Sequence, residues 1–154
     1  MSKLIIASPA NGKVILASKI NDESFSKDMI GEGFGIITTD EKMCAPIDGT
    51  ITLISGHAFA IKNNNGVEVL VHMGIDTVSI ESAKKASIFK YLHKVGDKIK
   101  TGQIVAKVDW ETIKSLKYDS TTPVIVLKDS LNGKSVTMES FGPCKVGDAI
   151  LSIE

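Results

Sequence analysis

The stretch "GVEVLVHMGIDTVSI", residues 66–80, is an apolar run that carries one histidine, His72, near its middle. A second histidine, His57, lies fifteen positions earlier in "ISGHAFAIKN", and the chain has three histidines in all. Apolar runs of this length that are rich in Ile and Val and bounded by Gly or Asn are typical of β-strands. Both histidines therefore fall in the most strand-like part of the chain. The question is why two of the three histidines lie there and how their side chains are placed relative to each other.

The same pattern recurs along the whole chain. Short apolar runs such as "KVILA", "GTITLI", "QIVAKV" and "PVIVLK" alternate with clusters of Gly, Asn, Asp and Pro. This alternation predicts an all-β fold, an antiparallel sandwich or a barrel-like domain. Two segments, "SAKKASIFKYLHKVG" and "DWETIKSLKY", are predicted to form short helices, the second with Asp109 as its N-cap.

Two weak internal repeats are present. "SPANGKVI" resembles "APIDGTIT", and "KVGDKI" resembles "KVGDAI". Pro-x-x-Gly and Val-Gly-Asp are turn formers that also recur by chance. Two different repeats in one small chain nevertheless indicate a duplicated β motif.

Composition limits the class of protein. A length of 154 residues suits one domain, residues 1–154. The 18 basic residues, all of them Lys, balance 18 acidic residues, which argues against nucleic acid or an anionic membrane as the main partner. A phosphate group would have to be held by His, Lys, hydroxyl or backbone N–H groups. The two cysteines form no disulfide or zinc pattern, and no signal-peptide core or membrane-length apolar run is present, so we expect a cytoplasmic protein without direct membrane insertion.

The loop "KNNNG" between the two histidines decides whether their side chains share a face. A two-residue turn at 65–66, or at 64–65, places His57 and His72 on the same face of a hairpin. A three-residue loop would send the two rings to opposite faces. With a two-residue turn, the same face would also carry Phe59, Ile61 and Leu70.

A histidine pair on an apolar face has three interpretations. The rings could be structural, each bonded to a backbone group. They could bind zinc, with Asp76 as the only nearby third ligand. Alternatively, a neutral imidazole could attack phosphorus while the other donates to the phosphoryl oxygens, and Gly74 would let the backbone approach a ligand closely.

His93, in a charged stretch, is predicted to be exposed and without a role. Phosphate-loop, dinucleotide and serine-elbow motifs are absent from the sequence.

Five segments in order carry a family resemblance: "MCAPIDGTI", "GHAFAI", "GVEVLVHMGIDTV", "VGDKIKTGQIVAKVD" and "TTPVIV". Together they resemble the glucose-type EIIA component of the bacterial phosphoenolpyruvate-dependent sugar phosphotransferase system. The resemblance runs from about residue 5 to the C-terminus, and the Val-His-x-Gly-Ile-Asp-Thr-Val block is its most specific part. It implies an antiparallel β-sandwich or barrel-like domain with a duplicated hammerhead-type motif.

The resemblance also implies the roles of particular residues. His72 would be phosphorylated at Nε2 and His57 would contact the phosphoryl group. Ser55, where the family usually has Thr, would support the His57 ring, and Asp76 would bear on docking or on release of the phosphoryl group. The chain would be a phosphotransferase component that receives the phosphoryl group from the carrier HPr and passes it to a cysteine of the EIIB domain of a sugar permease.

Partner docking would involve an apolar ring around the histidines, although core packing is the alternative for most of its members. The matching positions are Phe25, Met29, Ile30, Leu53, Leu70 and Val78. No cofactor is required by the family chemistry, but in some relatives the two histidines, here His57 and His72, bind zinc with a carboxylate from a partner. Regulatory target proteins are also implied. We expect a monomer, and we expect the N-terminal membrane tether of some relatives to be missing.

Three other classes of protein share part of this pattern. A biotinyl or lipoyl carrier domain would share the turns "APIDGTI" and "VGDKIKTGQIV", but the hairpin with its modified lysine is replaced by "AKVDWETIK". A zinc-binding β-domain of the peptidase type would use His72 and Asp76 but would also need a His-x-His element, which the sequence lacks. A binding module without chemistry is the third.

Overall fold

The computed structural model describes residues 3–154, which form a β-rich domain with few and short helices. The helices are α1 (Glu23–Ser26), α2 (Ser82–Ile88), α3 (Trp110–Ser115) and α4 (Lys128–Leu131), and 3-10 turns lie at Ala17–Lys19 and Thr77–Ser79. The strands are β1 (Leu4–Ala7), β2 (Gly12–Leu16), β3 (Gly31–Ile37), β4 (Lys42–Cys44), β5 (Gly49–Ser55), β6 (Ala58–Lys62), β7 (Glu68–His72), β8 (Phe89–Tyr91), β9 (Lys98–Ile99), β10 (Ile104–Val108), β11 (Thr122–Leu127), β12 (Val136–Met138), β13 (Gly142–Cys144) and β14 (Ala149–Ile153).

One antiparallel sheet of eight strands dominates, in the order β13-β2-β3-β11-β7-β6-β5-β9. Two antiparallel three-stranded sheets, β1-β14-β12 and β4-β10-β8, complete the fold. A single cluster of buried apolar side chains draws on all three sheets, for example Ile6, Ile36 and Val105. The predicted antiparallel all-β architecture is therefore confirmed.

The internal repeats reappear as matching contacts. The backbone N–H of Ala7 donates to the carbonyl of Pro46, and the N–H of Cys44 donates to the carbonyl of Pro9, both at 2.8 Å. Pro9 and Pro46 are equivalent in the two Pro-x-x-Gly repeats, and Ala7 and Cys44 each lie two residues before the proline. The repeated segments thus pair with each other reciprocally, which is what a duplicated β motif predicts.

The helix predictions are partly confirmed. α3 begins where the sequence indicated, because the side chain of Asp109 accepts from the N–H of Thr112 at 3.1 Å. α2 forms, but it ends at Ile88 and the chain continues as the strand β8. The four-residue helices α1 and α4 were not predicted, since a single turn is too short to show helical periodicity.

The predicted two-residue turn between β6 and β7 is wrong. In the β6–β7 ladder Ala58 lies opposite His72, and the N–H of Asn63 donates to the carbonyl of Val67 at 2.8 Å. The loop therefore has three residues, 64–66, and Gly66 closes it with a left-handed φ of +89°. In this register Leu70 shares the face of His72, as predicted. Two residues predicted on that face instead point into the core and are fully buried, Phe59 and Ile61.

Among the helices of residues 3–154, none has both the length and the apolar character needed to cross a membrane.

Candidate functional site

His57 and His72 meet in spite of the changed register, because His57 is not part of a strand. Ser55 pairs with Ala58, so Gly56 and His57 form the two-residue turn between β5 and β6, and Gly56 has a φ of +55°. Side chains alternate between the two faces only within a strand, so this alternation does not fix the direction of the His57 ring. The ring therefore can point toward β7. The ring centroids of His57 and His72 lie 4.7 Å apart with the planes at 72°.

Tyr91 holds the turn that carries His57. Its hydroxyl donates to the carbonyl of Gly56 at 2.6 Å and to that of Ala58 at 3.1 Å. On the other side, the N–H of Met73 donates to the carbonyl of His57 at 2.7 Å. Burial raises the pKa of Tyr91, so its hydroxyl keeps the proton that it donates. The sequence analysis missed Tyr91, which lies 33 to 35 residues away from its partners and in no recognisable motif.

The tautomer of His72 follows from its hydrogen bond. His72 ends β7, and its Nδ1 lies 2.6 Å from the carbonyl oxygen of Gly74. A carbonyl oxygen can only accept, so we assign the proton to Nδ1, and the lone pair is then on Nε2. The β7–β11 ladder stops one residue earlier, at Val71, where the next residue of β11 is Pro123, which has no N–H to donate.

The loop after His72 is tightly built. Gly74 has a φ of +90°, and a Cβ at this position would lie 2.5 Å from Cγ2 of Thr77. The hydroxyl of Thr77, which is fully buried, donates to the carbonyl of Met73 at 2.8 Å. Only glycine fits this combination of space and backbone conformation. The acceptor of the His72 hydrogen bond is therefore held in a fixed position.

Phe25 packs on the other side of His72. The two ring centroids are 5.1 Å apart, with the planes at 56°.

The pKa of His72 is lowered, chiefly by burial and to a smaller extent by the charge of Lys85. The hydrogen bond to Gly74 and the charges of Asp22 and Asp76 act in the opposite direction and raise this pKa. Asp76, predicted as a supporting residue, is exposed in a left-handed conformation with a φ of +61°. It acts on the His72 ring through its charge.

His57 is more strongly perturbed. Burial, followed by the charges of His72 and Lys85, lowers the pKa of His57 to about 4. Among residues 3–154, Nδ1 of His57 is the only buried side-chain nitrogen or oxygen without a hydrogen-bond partner. The predicted support from Ser55 is not present, because no hydrogen bond joins that exposed serine to the ring.

The six residues predicted to form the docking ring differ in their exposure. Leu53, Ala60 and Leu70 face one another across β5, β6 and β7, next to the row that contains His72. Phe25 is only 4% exposed and belongs to a small buried cluster. Of the other predicted members, Met29, Leu53 and Val78 are exposed, and Ile30 and Leu70 are half-buried.

The residues present do not by themselves complete a zinc site. Residues 3–154 contain no group of three or more His, Cys, Asp or Glu side chains placed to hold one metal ion. A protein zinc site normally has three or four protein ligands, and this site offers two imidazoles.

His93, predicted to be exposed, is half-buried instead, with Nδ1 3.3 Å from a carboxylate oxygen of Asp97.

Residues 4–131 match the family model described as phosphoenolpyruvate-dependent sugar phosphotransferase system, EIIA 1. This chain belongs to the EIIA 1 family. The matched range includes both histidines, Gly74, Tyr91 and Phe25.

Curated relatives of this EIIA chain are larger proteins. It is 31% identical over 152 residues to the glucose-specific EIICBA component of Staphylococcus carnosus, which covers 97% of this chain and 22% of that protein. It is 34% identical over 154 residues to the beta-glucoside-specific EIIBCA component of Bacillus subtilis, which covers 99% of this chain and 24% of that protein. The EIIA chain thus spans less than a quarter of the length of either relative.

A solved structure has the same fold. The glucose permease IIA from Mycoplasma capricolum superposes on this EIIA chain with a TM-score of 0.88, at 26% identity, over 99% of this chain and 96% of that one. The predicted resemblance to a glucose-type EIIA is therefore confirmed at the level of family and of fold.

Proposed function

We propose that this EIIA chain is a phosphocarrier of the sugar phosphotransferase system. His72 accepts a phosphoryl group at Nε2 from the phosphohistidine of HPr and passes it to a cysteine of an EIIB domain. The observation that carries the proposal is the hydrogen bond from Nδ1 of His72 to Gly74, which leaves Nε2 as the free nucleophile beside a second imidazole. The two curated relatives are named EIICBA and EIIBCA, and this supports a B component as the acceptor.

Each transfer is a substitution at phosphorus. In the first, the lone pair on Nε2 of His72 forms a P–N bond while the P–N bond to the donor ring breaks and its electrons return to that ring. In the second, the thiolate of the EIIB cysteine forms a P–S bond as the P–Nε2 bond breaks. The proton on Nδ1 stays directed at the carbonyl of Gly74 in both steps. Phosphoryl transfer of this kind depends on alignment and on charge stabilisation rather than on covalent machinery.

His57 would be the partner of the phosphoryl group. With a pKa of about 4 it is neutral at pH 7, so it carries one N–H to donate and adds no positive charge. We assign it a role in orienting the phosphoryl group during transfer, which would stabilise the charge that spreads over the equatorial oxygens.

Docking would use the apolar surface beside His72. Met29, Leu53 and Val78 are exposed apolar side chains, and the row of Leu53 and Leu70 adjoins that of His72. A partner that covered this surface would exclude water from the reacting atoms.

The test is phosphoryl transfer followed by intact mass. The protein is mixed with phosphoenolpyruvate, Enzyme I and HPr, as wild type, His72→Ala and His57→Ala. We expect wild type to gain one acid-labile phosphoryl group and His72→Ala to gain none, whereas His57→Ala accepts the group but passes it on poorly to EIIB. No mass gain in wild type would overturn the phosphocarrier proposal, and a gain in His72→Ala would overturn the choice of nucleophile.

A further inference from the structure

The side chain of Lys85, on α2, lies over the turn that carries His57. A Cβ built on Gly56 would come within 2.9 Å of Cδ and 3.3 Å of Cβ of Lys85. The aliphatic stem of the lysine therefore covers the open face of this glycine, and the residue is half-buried. Lys84, its neighbour on the same helix, is exposed. Lys85 is thus held against the turn, unlike the lysine before it.

The ammonium of Lys85 is not neutralised by a carboxylate. The salt bridges found within residues 3–154 are Lys3–Glu154, Lys27–Glu23 and His93–Asp97, and none involves Lys85. Its positive charge lowers the pKa of both His57 and His72. No other lysine in the described part of the chain contributes in this way to either ring.

The other charged side chains that act on His72 are negative. Asp22, the N-cap of α1, and Asp76 are close enough to raise the pKa of His72, so both would repel a dianionic phosphoryl group. The chain has no arginine that could offset them. His57, neutral at pH 7, contributes no positive charge. Of the charged groups that act on the pair, Lys85 is the one that attracts a phosphoryl group.

We propose that Lys85 is an electrostatic positioning residue for phosphoryl transfer at His72. Its ammonium draws the phosphoryl group toward the histidine pair, and its stem, resting on Gly56, keeps that charge next to the turn of His57. The inference rests on the proposed phosphocarrier function. It extends the site to α2, a helix that carries none of the motif residues.

Three variants distinguish the effect of the charge of Lys85 from the effect of its packing. Lys85→Gln removes the charge, Lys85→Arg keeps the charge and a long stem, and Lys84→Gln removes a charge from the exposed neighbouring position. The rate of phosphoryl transfer from phospho-HPr is measured by rapid quench for each full-length protein at low and high salt. The pKa values of His57 and His72 are measured by NMR titration of the unphosphorylated proteins.

We expect Lys85→Gln to slow acceptance by roughly tenfold at low salt, the effect of losing one charge-assisted contact, with a smaller loss at high salt. The pKa of His57 should rise in Lys85→Gln, a shift that a purely structural role would not produce. Lys85→Arg should restore both the rate and the pKa, and Lys84→Gln should behave as wild type.

Three results would count against the inference, and they are distinguishable. If wild type accepts the phosphoryl group and Lys85→Gln accepts it equally fast, the role of Lys85 is overturned while the phosphocarrier function stands. If Lys85→Arg is as slow as Lys85→Gln, packing rather than charge is responsible and the electrostatic role is overturned. If wild type accepts no phosphoryl group, the phosphocarrier function fails and the role of Lys85 fails with it.

Discussion

The imidazole of His57 meets that of His72 edge to face, with the ring centroids 4.7 Å apart. Burial lowers the pKa of both rings, and the charge of His72 lowers the pKa of His57 further. The pKa of each ring is below its usual value, so the neutral forms predominate at pH 7. A neutral pair leaves one nitrogen free to attack phosphorus and a second ring free to donate.

The first prediction concerns stability against pH. Because the pKa of His57 is about 4 in the folded protein and near 6.5 in the unfolded chain, the unfolded state binds the extra proton first as pH falls. The free energy of unfolding should therefore decrease between pH 6.5 and pH 4, with His57 contributing about 3 kcal/mol at most. Urea unfolding at pH 7 and pH 4.5 measures this for wild type and for His57→Gln. The variant should lose less stability on acidification; equal losses in the two proteins would contradict the assignment.

The second prediction concerns Tyr91. Tyr91→Phe removes the donor to the carbonyls of Gly56 and Ala58 without changing the volume of the ring. We expect a loss of about 1–2 kcal/mol in the free energy of unfolding and slower phosphoryl transfer, since the turn of His57 loses its anchor. Tyr118→Phe is the matched control, because the hydroxyl of Tyr118 makes no hydrogen bond within residues 3–154. Equal effects of the two substitutions would argue against the anchoring role.

The third prediction concerns Gly74. Gly74→Ala places a Cβ 2.5 Å from Cγ2 of Thr77 at a φ of +90°, so the loop must move and displace the carbonyl that fixes His72. Gly66→Ala is the control, because Gly66 has a φ of +89° but open space around it. Both variants should lose about 1 kcal/mol from backbone strain, and Gly74→Ala should lose more. Phosphoryl acceptance, measured by mass, should fall only in Gly74→Ala, and normal acceptance there would show that the carbonyl contact is dispensable.

The fourth prediction separates docking from core packing. Phe25 is 4% exposed, so Phe25→Ala should reduce the free energy of unfolding by about 3–5 kcal/mol. Val78 is 58% exposed, so Val78→Lys should leave stability within about 0.5 kcal/mol of wild type but raise KM for phospho-HPr. Ile5→Lys, in the separate sheet of β1, is the control for an added surface charge. An unchanged KM in Val78→Lys would remove Val78 from the docking surface.

Local patterns in the sequence were sufficient for the strand-rich fold, for the Val-Gly-Asp turns and for selecting His72 as a candidate. Ile- and Val-rich runs form strands because branched side chains suit a pleated surface. The Pro-x-x-Gly segments form bends and the Val-Gly-Asp segments form turns, because their backbone preferences are intrinsic. Gly74 was predicted to let the backbone approach a ligand closely, and the structure shows it in close contact with Thr77 instead. All of these depend on residues within a few positions of one another.

The register of the hairpin could not be read from the sequence with the same certainty. "NNNG" is compatible with loops of two or three residues, and the difference of one residue reverses the faces of a strand. Asn63 decides in favour of three, because its side chain accepts from the N–H of Asn65 at 2.9 Å and donates to the carbonyl of Asp48 at 2.9 Å. Asp48 lies fifteen residues away, so the choice depends on the folded structure.

The sequence by itself determined the strand-rich fold and selected the two histidines as a candidate pair, because these follow from short-range preferences and from motif spacing. Only the tertiary structure decided that His57 reaches His72 from a turn, that Tyr91 and Lys85 flank that turn, and that Phe25 is buried while Val78 is exposed. These contacts join segments that are distant along the chain. Their existence depends on how three sheets close around one core, and no local pattern encodes that closure.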